Sequence, residues 1–87
     1  MSNQQQSMLD FILERFPDVE FLKVDGFDSA IIGVEVDSMR LVYSERKCIE
    51  LLCFSGLDYD EAVDHFETNV KGSFLGDKTP IWVFNYS

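Results

Sequence analysis

Between positions 8 and 16 the apolar residues Met8, Leu9, Ile12, Leu13 and Phe16 recur at the three- and four-residue intervals of one helical face. Ser7 and Asp10 are spaced as a capping pair, and Pro17 closes the segment, so a short amphipathic helix is predicted there. The pattern then changes. Glu20 to Val24 is compatible with a strand, Asp25-Gly26 is a strong turn dipeptide, and Ala30-Ile31-Ile32-Gly33-Val34 is rich in β-branched residues. A hairpin is the simplest reading. Val36 to Met39 allows a second reversal and Arg40-Leu41-Val42-Tyr43 a third short strand, which ends where Ser44 can cap a helix.

From Glu45 to Phe54 the apolar positions Cys48, Ile49, Leu51, Leu52 and Cys53 cover one side, while Glu45, Arg46, Lys47 and Glu50 face water. Ser55-Gly56 ends this helix. Asp58 opens another, with Asp60 and Glu61 in a first turn where the helix dipole favours negative charge. Its apolar stripe is Ala62, Val63, Phe66 and Val70, and Gly72 is its expected stop. Thr79-Pro80 leads into Ile81-Trp82-Val83-Phe84, a last strand that would join the meander.

The predicted fold is α+β: a small antiparallel sheet of three to four strands with about three helices packed on one face. Its core is expected to hold Leu9, Ile12, Phe16, Ile31, Val34, Leu41, Ile49, Leu52, Val63, Phe66, Val70 and Trp82. Eighty-seven residues leave room for one domain, read as 7–87 behind a disordered tail of residues 1–6 that carries nothing to bury. A domain of this size buries a modest fraction of its surface, which makes a homo-oligomer one expectation for how it is stabilised.

Charge narrows the function classes. Sixteen acids against seven bases give a net charge of −9, which repels nucleic acid and anionic lipid and favours a partner with a basic surface. Direct nucleic-acid binding is therefore not expected. No window reaches the length of a membrane span, and no cationic N-terminal region precedes an apolar stretch, so cytosolic residence without a secretory signal is the reading. Cys48 and Cys53, five apart in a predicted helix, are poorly placed for a mutual disulfide and are expected to be free buried thiols.

Candidate chemistry is sparse. His65 with Glu61 one helical turn earlier could begin a metal or small-ligand site, but two ligands do not complete one. Cys48 lies near a helix start, yet on the apolar face, where packing is the simpler role. The glycines match no phosphate-cradling pattern, and no serine stands in a nucleophile elbow, so neither a catalytic residue nor a cofactor is assigned. Arg40 and Tyr43 are candidates for a small polar pocket.

The densest charge feature is the helix carrying Asp58, Asp60, Glu61, Asp64 and Glu67. It reads either as a solvated face or as a docking surface for a basic groove, with Asp60, Glu61, Asp64 and Glu67 as the contact residues. Phe74 and Leu75, in a glycine-flanked loop, could join such an interface or tuck into the core, and Trp82 and Tyr86 are open to the same two readings.

The run FDSAIIGVEVDSMRLVYSERKCIELL, followed by DEAVDHFETNV, KGSF and GDKTPIWVFN, resembles a family of short uncharacterised bacteriophage proteins over roughly Phe27 to Asn85. The resemblance carries no catalytic residues. It implies a setting, the cytoplasm of an infected bacterial host, and so favours a small acidic accessory protein that binds and modulates a host or viral protein. A self-associating structural protein and a ligand or metal site at His65 and Glu61 are the alternatives.

Overall fold

The computed structural model describes residues 7–73, 76 and 78–85. The predicted N-terminal tail, Phe74, Leu75 and Tyr86 lie outside them. The fold is α+β: three helices and a three-stranded sheet of order β1-β2-β3, where β1 is Ile31–Glu35, β2 Arg40–Ser44 and β3 Ile81–Val83.

Each α-helix begins where a side chain satisfies the otherwise orphaned first-turn amides. Helix α1 (Met8–Arg15) starts with a reciprocal box in which the Asp10 amide donates to Ser7 Oγ at 3.2 Å and the Ser7 amide to Asp10. Helix α2 (Glu45–Phe54) is capped by Ser44, whose Oγ accepts the Lys47 amide at 3.2 Å. Helix α3 (Tyr59–His65) opens on a second box between Asp58 and Glu61. At the end of α2, Gly56 takes φ +118°, a left-handed turn that lets the Leu57 amide reach back to the Leu52 carbonyl.

The sheet departs from the predicted meander in two ways. Glu20 to Val24 forms no strand: Val24 to Phe27 is a turn closed by a 3.3 Å backbone bond, and a 3₁₀ turn at Asp28–Ala30 redirects the chain before β1. The Val24 amide bonds a side chain, the Tyr43 hydroxyl at 2.9 Å, instead of a neighbouring strand. The sheet is also mixed. β1 and β2 are antiparallel, with a bulge between Ile31 and Gly33, but β3 runs parallel to β2, pairing Val42 with Ile81, Tyr43 with Trp82 and Ser44 with Val83. The intervening helical segments return the chain so that β3 runs beside Val42 to Ser44, as a parallel connection requires. A fully antiparallel or four-stranded sheet is therefore not what forms among the described residues.

The β1–β2 turn is held by Glu35, whose carboxylate accepts the Asp37 and Ser38 amides and the Ser38 hydroxyl. Those bonds, the Ser38 hydroxyl first, hold the Glu35 carboxyl below its ordinary titration range. Met39 completes the turn in the left-handed region at φ 55°.

The core gathers Ile12, Val24, Ala30, Ile31, Leu41, Tyr43, Cys48, Ile49, Leu52, Ala62, Phe66 and Val70. Leu9, Phe16, Val34, Val63 and Trp82 pack on its margin. Met8 and Leu13, predicted to share the buried face of α1, are exposed, because a single stripe through Ile12 meets the core. Beyond α3 the apolar stripe continues in a different winding, a π-helical turn at Phe66–Val70 and a 3₁₀ turn at Lys71–Ser73. Both Phe66 and Val70 are buried there.

Tyr43 is fully buried, so its hydroxyl is the partner the Val24 amide would otherwise lack. Tyr43→Phe is expected to cost about 1–3 kcal/mol, the penalty for orphaning a buried donor. Urea unfolding gives the loss, and hydrogen exchange at Val24 is expected to accelerate more than at the core amides of α2.

Candidate functional site

Two surface features adjoin at the junction of α2 and α3. The first is the acidic helix. Asp60, Glu61 and Asp64 are exposed on α3 and Glu67 is exposed on the turn after it, as the sequence predicts. They are not equivalent. Glu61 accepts the Asp58 amide at 3.0 Å in the capping box, and Glu67 pairs with Lys71 at 3.6 Å. Asp60 and Asp64 take part in no ion pair among the described residues, so their charge is left to act on the solvent side.

The second feature was not legible as a site. Arg46, Ile49, Glu50, Cys53 and Phe54 of α2, Tyr59 at the start of α3 and Phe84 just after β3 line a depression of about 800 Å³. Its walls are mainly apolar, and three of its aromatic rings stand out into water: Phe54 is 90% exposed, Tyr59 64% and Phe84 62%. On α2 the residues Cys48 and Leu52 point into the core, while Ile49 and Cys53, one position on, form the adjoining stripe that floors the groove. The apolar arc of α2 is wider than one core-facing stripe can use.

Phe84 is positioned by its neighbour. The Arg46 guanidinium donates from Nε to the Asn85 carbonyl at 3.1 Å and from Nη1 to Glu50 at 2.6 Å. The buried Ser44 hydroxyl donates to Asn85 Oδ1 at 2.6 Å. One side chain at the start of α2 and the cap before it thus fix the chain that carries Phe84 across the groove.

The remaining candidates separate from this surface. Trp82 is half-buried, its ring 5.2 Å from Tyr43 and 5.2 Å edge-on from Phe66, so it packs the sheet onto the helices. Phe74 and Leu75 lie outside the described residues. Arg40 and Tyr43 form no common pocket, because strand alternation puts them on opposite faces; Arg40 bonds Ser38 Oγ and the Thr79 carbonyl instead. His65 Nδ1 is 3.2 Å from the Asn69 amide nitrogen, and among the described residues no group of three His, Cys, Asp or Glu side chains is placed to hold a metal.

Comparison with known proteins finds no match: no family model, no curated protein and no solved structure aligns with the chain. Among the described residues no helix is long and apolar enough to cross a membrane. The two cysteines are free, and Cys48 is buried with its thiol pushed up to about 12, by desolvation first and the Glu45 charge second. A thiol in that state is protonated at neutral pH and is a packing group rather than a nucleophile. Cys53, in contrast, is partly exposed and lines the groove.

Proposed function

We infer that this chain is a non-enzymatic interaction protein that binds and modulates a protein with a basic surface. The observation that carries the reading is the adjacency of the exposed acids of α3 to an exposed aromatic groove on one small, strongly acidic fold. Large aromatic rings left in water at a concave site favour protein contact, and unpaired carboxylates beside them steer an oppositely charged partner. In the setting implied by the bacteriophage resemblance, that partner is a host or viral protein met in the cytoplasm of the infected bacterium.

The test is affinity capture with the tagged chain from bacterial lysate, at low and at moderately high salt. The expected result is one protein retained specifically by the native chain, more weakly at high salt, and lost when Asp60, Asp64 and Glu67 become Asn, Asn and Gln. Retention that ignores both salt and these substitutions, or recovery of the bait alone, overturns the reading.

A further inference from the structure

We propose that the groove between α2, the start of α3 and Phe84 receives an amphipathic helix of the partner, its apolar anchors flanked by Lys or Arg. This rests on the reading of the chain as a binder of basic proteins and names how that binding is specified. Among the described residues the groove is lined by side chains of two helices and of the residue that follows β3, and by none within a strand. Affinity there must come from side-chain anchors entering an apolar depression, the mode in which a partner helix lays its apolar stripe into a groove. A volume of about 800 Å³ accommodates more than one such anchor.

Charge selects the occupant. Arg46, the one cation in the lining among the described residues, is already bonded to Glu50 and to the Asn85 carbonyl, so the pair presents no net charge. Where Tyr59 borders the groove the surface is negative: Tyr59 lies between the exposed Asp58 and Asp60 at the start of α3. A second copy of this chain would bring a charge of −9 and the same acidic rim against it, and is disfavoured on that ground. A helix whose apolar face is bordered by Lys or Arg satisfies both the walls and the rim. Phe54, the most exposed of the rings, makes the principal contact, and Tyr59 and Phe84, which also line the groove, add to it.

The test is a chemical-shift titration of the full-length ¹⁵N-labelled chain with three synthetic peptides. The first has leucines at i, i+3, i+4 and i+7 with lysines between them; the second keeps the leucines and replaces lysine by glutamate; the third is oligolysine of the first peptide's charge. The first is expected to shift Ile49, Cys53, Phe54, Tyr59 and Phe84 and to slow alkylation of Cys53. Phe54→Ser, at a position too exposed to unfold the domain, is expected to weaken it at least about tenfold, with Phe84→Ser as a second variant. Equal shifts from oligolysine, unaffected by Phe54→Ser, would overturn the groove while leaving the electrostatic reading of the function intact. Equal binding of the glutamate peptide would overturn the basic flank, and no groove response to any peptide would overturn the proposal outright. A dimer in sedimentation that dissociates on Phe54→Ser would make the occupant a second copy and likewise reject it.

Discussion

Phe66→Ala is expected to destabilise the domain by about 3–5 kcal/mol, the range for deleting a fully buried aromatic ring and leaving a cavity behind it. Phe66 is completely shielded, meets Trp82 edge-on at 5.2 Å, and stands where α3 gives way to the π-helical turn. Its ring therefore joins the helical layer to β3, a parallel strand of only three residues. A domain of 87 residues has a total stability of about 4–13 kcal/mol at 0.05–0.15 kcal/mol per residue, so the variant is expected to be substantially unfolded at low denaturant. Guanidinium unfolding checks this against Phe54→Ala, which removes the same ring from a position 90% exposed and should change stability by no more than about 0.5 kcal/mol. A loss below about 1 kcal/mol for Phe66→Ala would contradict the packing described.

The second large effect concerns pH. Because burial pushes the Cys48 thiol up to about 12, the folded state keeps its proton through a range in which the unfolded chain gives it up. A group whose folded value is raised contributes fully below its unfolded value, here near pH 9, and loses that contribution as pH climbs toward 12. The expected slope across that window is about 1.4 kcal/mol of lost stability per pH unit for the one proton involved. Tyr43, whose phenol burial also pushes upward, adds a loss of the same sign at higher pH. Comparing the native chain with Cys48→Ala isolates the thiol: the gap between their stabilities should be constant below pH 9 and change steadily above it. Parallel curves up to pH 11 would mean that Cys48 ionises freely in the folded protein. In the same experiments at neutral pH, Cys53 should be alkylated and Cys48 spared.

What the chain order made legible was local. Ser7 with Asp10, Ser44, and Asp58 with Glu61 each mark a helix start through bonds within three residues, so all three α-helices begin where the pattern places them. Strand identity is decided by partners far away in sequence. Glu20 to Val24 carries residues that suit a strand, but its last amide is taken by Tyr43, nineteen residues on, and no strand forms. The direction of β3 depends likewise on the crossover that delivers it. The groove was missed because Phe54 ends a helix whose apolar residues were all assigned to one core-facing side, and Tyr59 sits inside a capping signal. An apolar arc on α2 running from Cys48 to Phe54, too wide for one buried face, is the signal that would have exposed it.

On the proposed reading the acids steer the encounter and the groove holds the partner, and kinetics can separate the two. Once a captured partner is in hand, the most direct measurement is its association and dissociation rates with three full-length chains: the native protein, Asp60→Asn/Asp64→Asn/Glu67→Gln, and Phe54→Ser/Phe84→Ser. Steering charges act on the encounter and anchors on residence. The acidic variant should associate more slowly and lose most of the native salt dependence, and the aromatic variant should dissociate at least about tenfold faster at an unchanged association rate. Native rates in both variants would place the contact on another surface and contradict the account.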